Sequence, residues 1–156
     1  LLIALPRPKV LKRIVYSATT MGVKRIYFFN TYRVEKSFWK SLWINPEKLN
    51  EHGLLALEQC RDTVMPEIFF RDRFKPFVQD ELPGIIEGTS AFVAHPASAN
   101  PFPTNLPTPA TIAIGPEGGF IDYELEQLAK AGFKNISMGP RIFKVETAVQ
   151  YAISRV

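Results

Sequence analysis

Short unbroken apolar runs alternate along the whole chain with stretches of three-to-four apolar spacing. That alternation restricts the chain to an α/β architecture, a mostly parallel sheet with helices on both faces. Residues 1–5 form an apolar run stopped by Pro6, the pattern of a strand buried on both faces. Val10, Leu11, Ile14, Val15, Ala18 and Met21 then recur on one helical face and predict a helix over 9–21, with Gly22 where a left-handed cap is wanted. A strand is expected at 26–29. Phe38, Trp39, Leu42 and Trp43 again have helical spacing, and 46–61, carrying Leu49, Leu54, Leu55 and Leu57, supports a longer helix.

Strands at 67–70 and 90–94 flank a weaker segment at 74–84, and 95–109 is a loop punctuated by five prolines after His95. The clearest unit follows: an apolar strand over 111–114, the loop Gly115-Pro116-Glu117-Gly118-Gly119, and a helix over 123–131 that Asp122 can cap. Glu124 and Glu126 stand in its first turn, where carboxylates favour the helix dipole. A strand at 135–138, a loop through Gly139-Pro140-Arg141 and a helix from Glu146 complete the pattern.

With 156 residues the chain has the length of one domain. Its single cysteine, Cys60, permits no internal disulfide and fits a reducing compartment, and its two histidines, His52 and His95, cannot assemble a structural zinc site. No apolar run approaches bilayer length, so a soluble, cytoplasmic protein with no membrane partner is expected. The charge is split: residues 1–78 hold fourteen Lys+Arg against seven Asp+Glu, and residues 79–156 hold five against eight. One face for a polyanion and another for a different ligand would follow from such a division.

In a parallel sheet ligands bind beyond the carboxyl ends of strands, which singles out the loops at His95, 115–119 and 139–144. The glycines at 115, 118 and 119 either bring backbone close to a ligand or merely make a tight strand-to-helix turn. Gly119-Phe120-Ile121 lacks the Gly-Lys-Ser/Thr ending of an NTPase phosphate loop, and the glycine gaps are not those of the dinucleotide fingerprint. Glu117 would repel phosphate but suits a ligand with a positive centre.

Two strings then carry a resemblance. Ile114-Gly115-Pro116-Glu117-Gly118-Gly119-Phe120 and Met138-Gly139-Pro140-Arg141-Ile142-Phe143-Lys144-Val145-Glu146-Thr147-Ala148 together resemble the C-terminal motifs of the SPOUT-class RNA methyltransferases. Within that class they resemble the bacterial enzymes that methylate N3 of a uridine in 16S ribosomal RNA. Leu2-Ile3-Ala4-Leu5-Pro6, Met21-Gly22-Val23, Arg33-Val34-Glu35-Lys36 and Glu58-Gln59 fall where that family has comparable segments, so the similarity covers nearly the whole chain.

The resemblance implies one methyltransferase domain over 1–156, a C-terminal trefoil knot that ordinary topology rules would not suggest, a homodimer, and metal-free methyl transfer from S-adenosylmethionine to small-subunit ribosomal RNA. It also implies a PUA-like barrel RNA-binding domain upstream of residue 1. In the family's pattern the cofactor is held by His95, Ile114, Gly115, Pro116, Glu117, Gly118, Gly119, Met138, Gly139, Arg141 and Ile142. Three departures are visible: Thr20 where relatives usually have Glu, and Lys144-Val145 in place of Arg-Thr. An alternative follows from them, a non-catalytic RNA-binding module with a degenerate cofactor pocket.

Uridine N3 lies on the Watson–Crick edge and bears a proton, so the base must be unpaired and the proton must leave. Arg33 and Arg141 are the candidates for stabilising the base oxygens, and Glu146 or Glu117 for accepting the proton. For Glu146 an ordinary first-turn carboxylate is an equal reading. Arg7, Lys9, Arg33 and Lys36 are the candidates for contacting RNA. Trp39 and Trp43 belong more naturally to packing than to base stacking, and Val149, Ala152, Ile153 and Val156 form either core or a dimer seam.

Overall fold

A computed structural model describes residues 1–156 and contains one six-stranded sheet in the order β3-β2-β1-β5-β4-β6, with every neighbouring pair parallel. The strands are β1 (Leu2–Ala4), β2 (Arg25–Phe29), β3 (Glu67–Arg71), β4 (Ser90–Ala94), β5 (Ala110–Ile114) and β6 (Lys134–Ile136). The helices are α1 (Pro8–Thr20), α2 (Pro46–Cys60), α3 (Phe74–Pro76), α4 (Leu82–Ile86), α5 (Asp122–Lys130) and α6 (Val145–Ile153). The α/β class and the mostly parallel sheet are those expected from the alternating pattern. No helix is long and apolar enough to cross a membrane.

Strand periodicity distributes the aromatic residues of β2 to the two faces of the sheet. Tyr27 and Phe29 face one side, where Tyr27 stacks on Phe77 at 5.9 Å between centroids and Phe29 meets it tilted at 5.4 Å. Phe28 faces the other and lies 5.4 Å from Phe70, which meets the edge of Trp39. One helical layer holds α1, α2 and α6, with Gln150 Nε2 donating to Ser17 Oγ at 3.0 Å. The opposite layer holds α3, α4 and α5, with Gln79 donating to Gln127 at 3.0 Å. A single contiguous cluster of 35 buried residues fills the space between.

Two local features differ from the sequence pattern, each for a chemical reason. The weak 74–84 segment is a continuous helix in which Phe77–Glu81 is wound as a π turn between α3 and α4. Pro83 lacks the N–H that the fourth carbonyl back would need and its ring crowds that carbonyl, which a wider turn relieves. The helix expected from Phe38 to Trp43 is only a 3-10 turn, Phe38–Lys40. Ser41 is extended and its hydroxyl accepts the N–H of Trp43 at 3.2 Å, offering the backbone a partner outside a helix. The Trp39 indole donates to Asn30 Oδ1 at 3.0 Å, so it packs rather than projects.

Helix α5 starts one residue earlier than expected, with Ile121 rather than Asp122 at its cap. The apolar face of α6 resolves mostly into core: Val149 and Ala152 are fully buried, while Val156 remains exposed. The proline-rich 95–109 loop is anchored by Phe102 and Leu106, both buried. It crosses the chain that leaves β6, where Phe102 N–H donates to Ser137 O and Ser137 N–H to Asn100 O, and it reaches the end of α6, where Leu106 N–H donates to Arg155 O.

Candidate active site

Because every strand runs the same way, the loops that follow β1, β2, β4, β5 and β6 all emerge at one edge of the sheet. There they enclose a cavity of about 340 Å³. Its wall is drawn from 94–97 after β4, from 114–120 after β5 and from the 138–148 connection between β6 and α6, with Arg33 from the loop after β2. All eleven residues singled out in the sequence for the cofactor line it, from His95 through the 114–119 loop to Met138, Gly139, Arg141 and Ile142.

The glycine loop is shaped by two requirements. Gly119 has φ +74°, a left-handed conformation that costs a residue with a side chain about 1–2 kcal/mol. At Gly118 an added Cβ would lie 2.9 Å from Arg33 Cδ and 3.4 Å from Arg33 Cβ, so the missing side chain lets Arg33 lie across the loop. The Arg33 guanidinium Nη1 donates to the Gly118 carbonyl. Phe120 then leaves the loop for the core, 4% exposed and stacked on Phe29.

A buried carboxylate ties this loop to the loop after β2. Glu124, in the first turn of α5, is 2% exposed; it accepts the N–H of Tyr32 at 2.7 Å and that of Ile121 at 3.0 Å. Its position in the sequence suggests a solvated dipole partner, and the signal that distinguishes it is the reach-back from the third helical position to the cap N–H. Glu117 makes a second link, an exposed ion pair with Arg7 at 3.8 Å, and also accepts the Arg7 N–H at 3.5 Å. Arg7, Arg33 and Lys36 are exposed on the loops that leave the adjacent strands β1 and β2, and Lys9 is exposed in the first turn of α1.

Of the three catalytic candidates, Arg33 and Arg141 line the cavity. Glu146 does not; it sits half-buried on the first turn of α6, outside the lining. Residues that sequence reasoning passed over complete the wall: Phe143, Val145 and Ala148 contribute an apolar side, continuous with Ile114 and Met138. No group of three or more His, Cys, Asp and Glu side chains is placed to hold a metal ion.

The family profile of the RNA methyltransferase domain matches residues 1–156. The chain belongs to that family. It is 28% identical over 153 residues to ribosomal RNA small subunit methyltransferase E 1 of Borreliella burgdorferi, covering 94% of this chain and 61% of that protein. With ribosomal RNA small subunit methyltransferase E of Treponema pallidum it shares 29% identity over 154 residues, 95% of this chain and 57% of the relative. The chain thus spans about three fifths of the length of these relatives. Among solved structures, the ribosomal RNA small subunit methyltransferase E from Neisseria gonorrhoeae bound to S-adenosyl methionine superposes with a TM-score of 0.77 at 20% identity, covering 97% of this chain and 62% of that one.

Within this RNA methyltransferase domain the departures noted in the sequence separate by location. Thr20 ends α1, where its hydroxyl donates to the Tyr16 carbonyl at 2.8 Å, and Lys144 is exposed at the cap of α6. Neither lines the cavity, whereas Val145 does.

Proposed function

We propose that this chain is the catalytic domain of an S-adenosylmethionine-dependent methyltransferase acting on N3 of a uridine in small-subunit ribosomal RNA. The observation that carries the proposal is the cavity itself, formed by three loops from neighbouring strand ends in a chain of the RNA methyltransferase family. The names of the curated relatives and the cofactor bound in the Neisseria gonorrhoeae structure support the substrate and the cofactor.

The lining fits that cofactor. An apolar side of Ile114, Met138, Phe143, Val145 and Ala148 suits a purine, and the backbone of 115–119 and 138–142 offers donors and acceptors along its edge. The 114–119 loop carries Glu117 and no basic side chain, so this side of the cavity favours a cationic centre, while Arg33 and Arg141 line the rest of the wall with positive charge. When bound, the sulfonium of S-adenosylmethionine supplies a methyl group that needs no further activation.

What remains for the protein is alignment and charge. Arg33, from the loop after β2, and Arg141, from the connection between β6 and α6, hold the uracil oxygens as negative charge develops at N3. Glu117 accepts the N3 proton at Oε2, the oxygen that Arg7 leaves free, since of the two candidate carboxylates it alone lines the cavity. Arg7, Lys9 and Lys36 track phosphates of the unpaired strand. The active species is a homodimer, and its C-terminal segment carries the trefoil knot that the resemblance implies.

Calorimetry with S-adenosylmethionine tests the cofactor, with saturable heat expected; a folded chain that gives no heat at high concentration would overturn the proposal. Methyl transfer to small-subunit ribosomal RNA, read as a reverse-transcription stop at one uridine, tests the reaction. Sedimentation of the chain tests the dimer.

A further inference from the structure

The loop that carries Arg33 presents a second exposed side chain, next in sequence to one that lines the cavity. Tyr32 is 80% exposed, more than any other large aromatic residue of the chain, and its hydroxyl bonds to no protein group. Its backbone is nevertheless pinned, because its N–H donates to the buried Glu124 carboxylate and its neighbours Thr31 and Val34 are buried. A ring left in water forgoes the roughly 1.5–3 kcal/mol that burial of an aromatic side chain supplies. Here that ring is held on a fixed backbone, one residue from the guanidinium that lies on Gly118. Preorganised aromatic faces beside a cation bind nucleobases by stacking, with little ordering left to do on binding.

We infer that Tyr32 is a stacking platform for an unpaired RNA base adjacent to the nucleotide that enters the cavity. The inference rests on the proposed RNA methyltransferase function and adds a subsite to it. Extruding one base leaves its neighbour without a stacking partner on that side, and the Tyr32 face supplies one. Arg33 then has two neighbours to serve, the Gly118 carbonyl that seats it and the base in the cavity. The exposed cations Arg7, Lys9 and Lys36 at the same sheet edge make single-stranded RNA, rather than an apolar protein segment, the occupant.

The test uses the whole chain and a labelled, unpaired oligonucleotide of small-subunit ribosomal RNA containing a uridine, with binding read by fluorescence anisotropy. Tyr32→Ala weakens binding roughly ten- to a hundred-fold, and Tyr32→Phe stays within about two-fold of the parent chain, because stacking needs the ring and not the hydroxyl. The slope of log affinity against log salt is the same in all three proteins, since no phosphate contact is lost. Heat of S-adenosylmethionine binding is also the same in all three. Equal RNA affinity for Tyr32→Ala and the parent overturns the platform, as does a Tyr32→Ala salt slope lowered by about one charge. A parent chain that binds the cofactor but no oligonucleotide overturns the platform and leaves the cofactor assignment standing. Tyr32-dependent oligonucleotide binding without cofactor heat does the reverse.

Discussion

Replacing Glu124 by glutamine probes the joint between the two halves of the site. The carboxylate is 2% exposed and receives two backbone N–H groups, from Tyr32 at 2.7 Å and Ile121 at 3.0 Å. It takes part in none of the ion pairs, so those dipoles and the N-terminus of α5 compensate its charge. A hydrogen bond to a charged group contributes about 1.5–3 kcal/mol, and glutamine keeps one acceptor oxygen while turning an NH₂ donor toward the other N–H. Relief of the buried charge offsets part of that loss, but an N–H facing a donor keeps its full desolvation penalty. A net cost of about 2–3 kcal/mol is expected, which for a domain of this size is a fall in Tm of roughly 5–10 °C. Urea and thermal denaturation followed by circular dichroism measure it. Limited trypsin digestion without denaturant gives a local readout, because Arg33 and Lys36 lie on the loop that Glu124 holds and their cleavage should accelerate. Stability within about 0.5 kcal/mol of the parent, with unchanged cleavage, would show that the carboxylate does not hold the loops together.

Three further changes separate the site from the core. Gly118→Val puts a branched side chain where Arg33 Cδ lies 2.9 Å from the added Cβ; S-adenosylmethionine affinity by calorimetry should fall at least about ten-fold in a folded variant, and retained affinity would mean that Arg33 moves aside freely. Phe120→Ala empties a 4%-exposed position stacked on Phe29 and should cost about 3–5 kcal/mol in urea denaturation, a loss under about 1 kcal/mol being inconsistent with that packing. Asp62 is held below the usual carboxylate range by the Lys24 ammonium and the N–H groups of Val64 and Thr63. Its contribution is therefore present above the unfolded carboxyl value and lost as pH falls through the folded one. The stability difference between the parent and Asp62→Asn should be seen near about pH 6 and shrink as the carboxyl is protonated in acid, and a difference that does not shrink would assign it to something other than the charge.

The central strands were legible because a parallel sheet covered on both faces demands unbroken apolar runs; Leu2, Ile3 and Ala4 are fully buried and cannot alternate. The cavity loops were legible for a topological reason: once the strands run parallel, the segments after 94, 114 and 136 must emerge together. Side-chain roles were less so. Glu124 and Glu146 occupy the same kind of first-turn position in α5 and α6, yet one is a buried acceptor and the other lies outside the cavity. Locally they differ only in that Glu124 stands at the third helical position, from which it reaches the Ile121 N–H; its second partner, the Tyr32 N–H, is 92 residues away. The 38–43 segment misled for the opposite reason, since one hydroxyl, Ser41, outweighed a helical spacing of four large apolar residues.

The division of charge between the halves takes on a second meaning at this site. Seven surplus positive charges in residues 1–78 suit a polyanion, but the contacts that join the halves at the cavity also run from first-half donors to second-half acceptors. Arg7 pairs with Glu117, the Tyr32 N–H with Glu124, and the Arg33 guanidinium with the Gly118 carbonyl. The acceptors all lie in the ten residues from Glu117 to Glu126, so the acidic excess of the second half is concentrated where it clamps the loops of the first. Under the proposed function, a phosphate backbone drawn to the basic loops would therefore meet Arg7 and Arg33 with their geometry already set by carboxyl and carbonyl oxygens. Binding RNA then need not order Arg33, which is the condition under which a positioned guanidinium favours charge developing on a base over charge already present on phosphate.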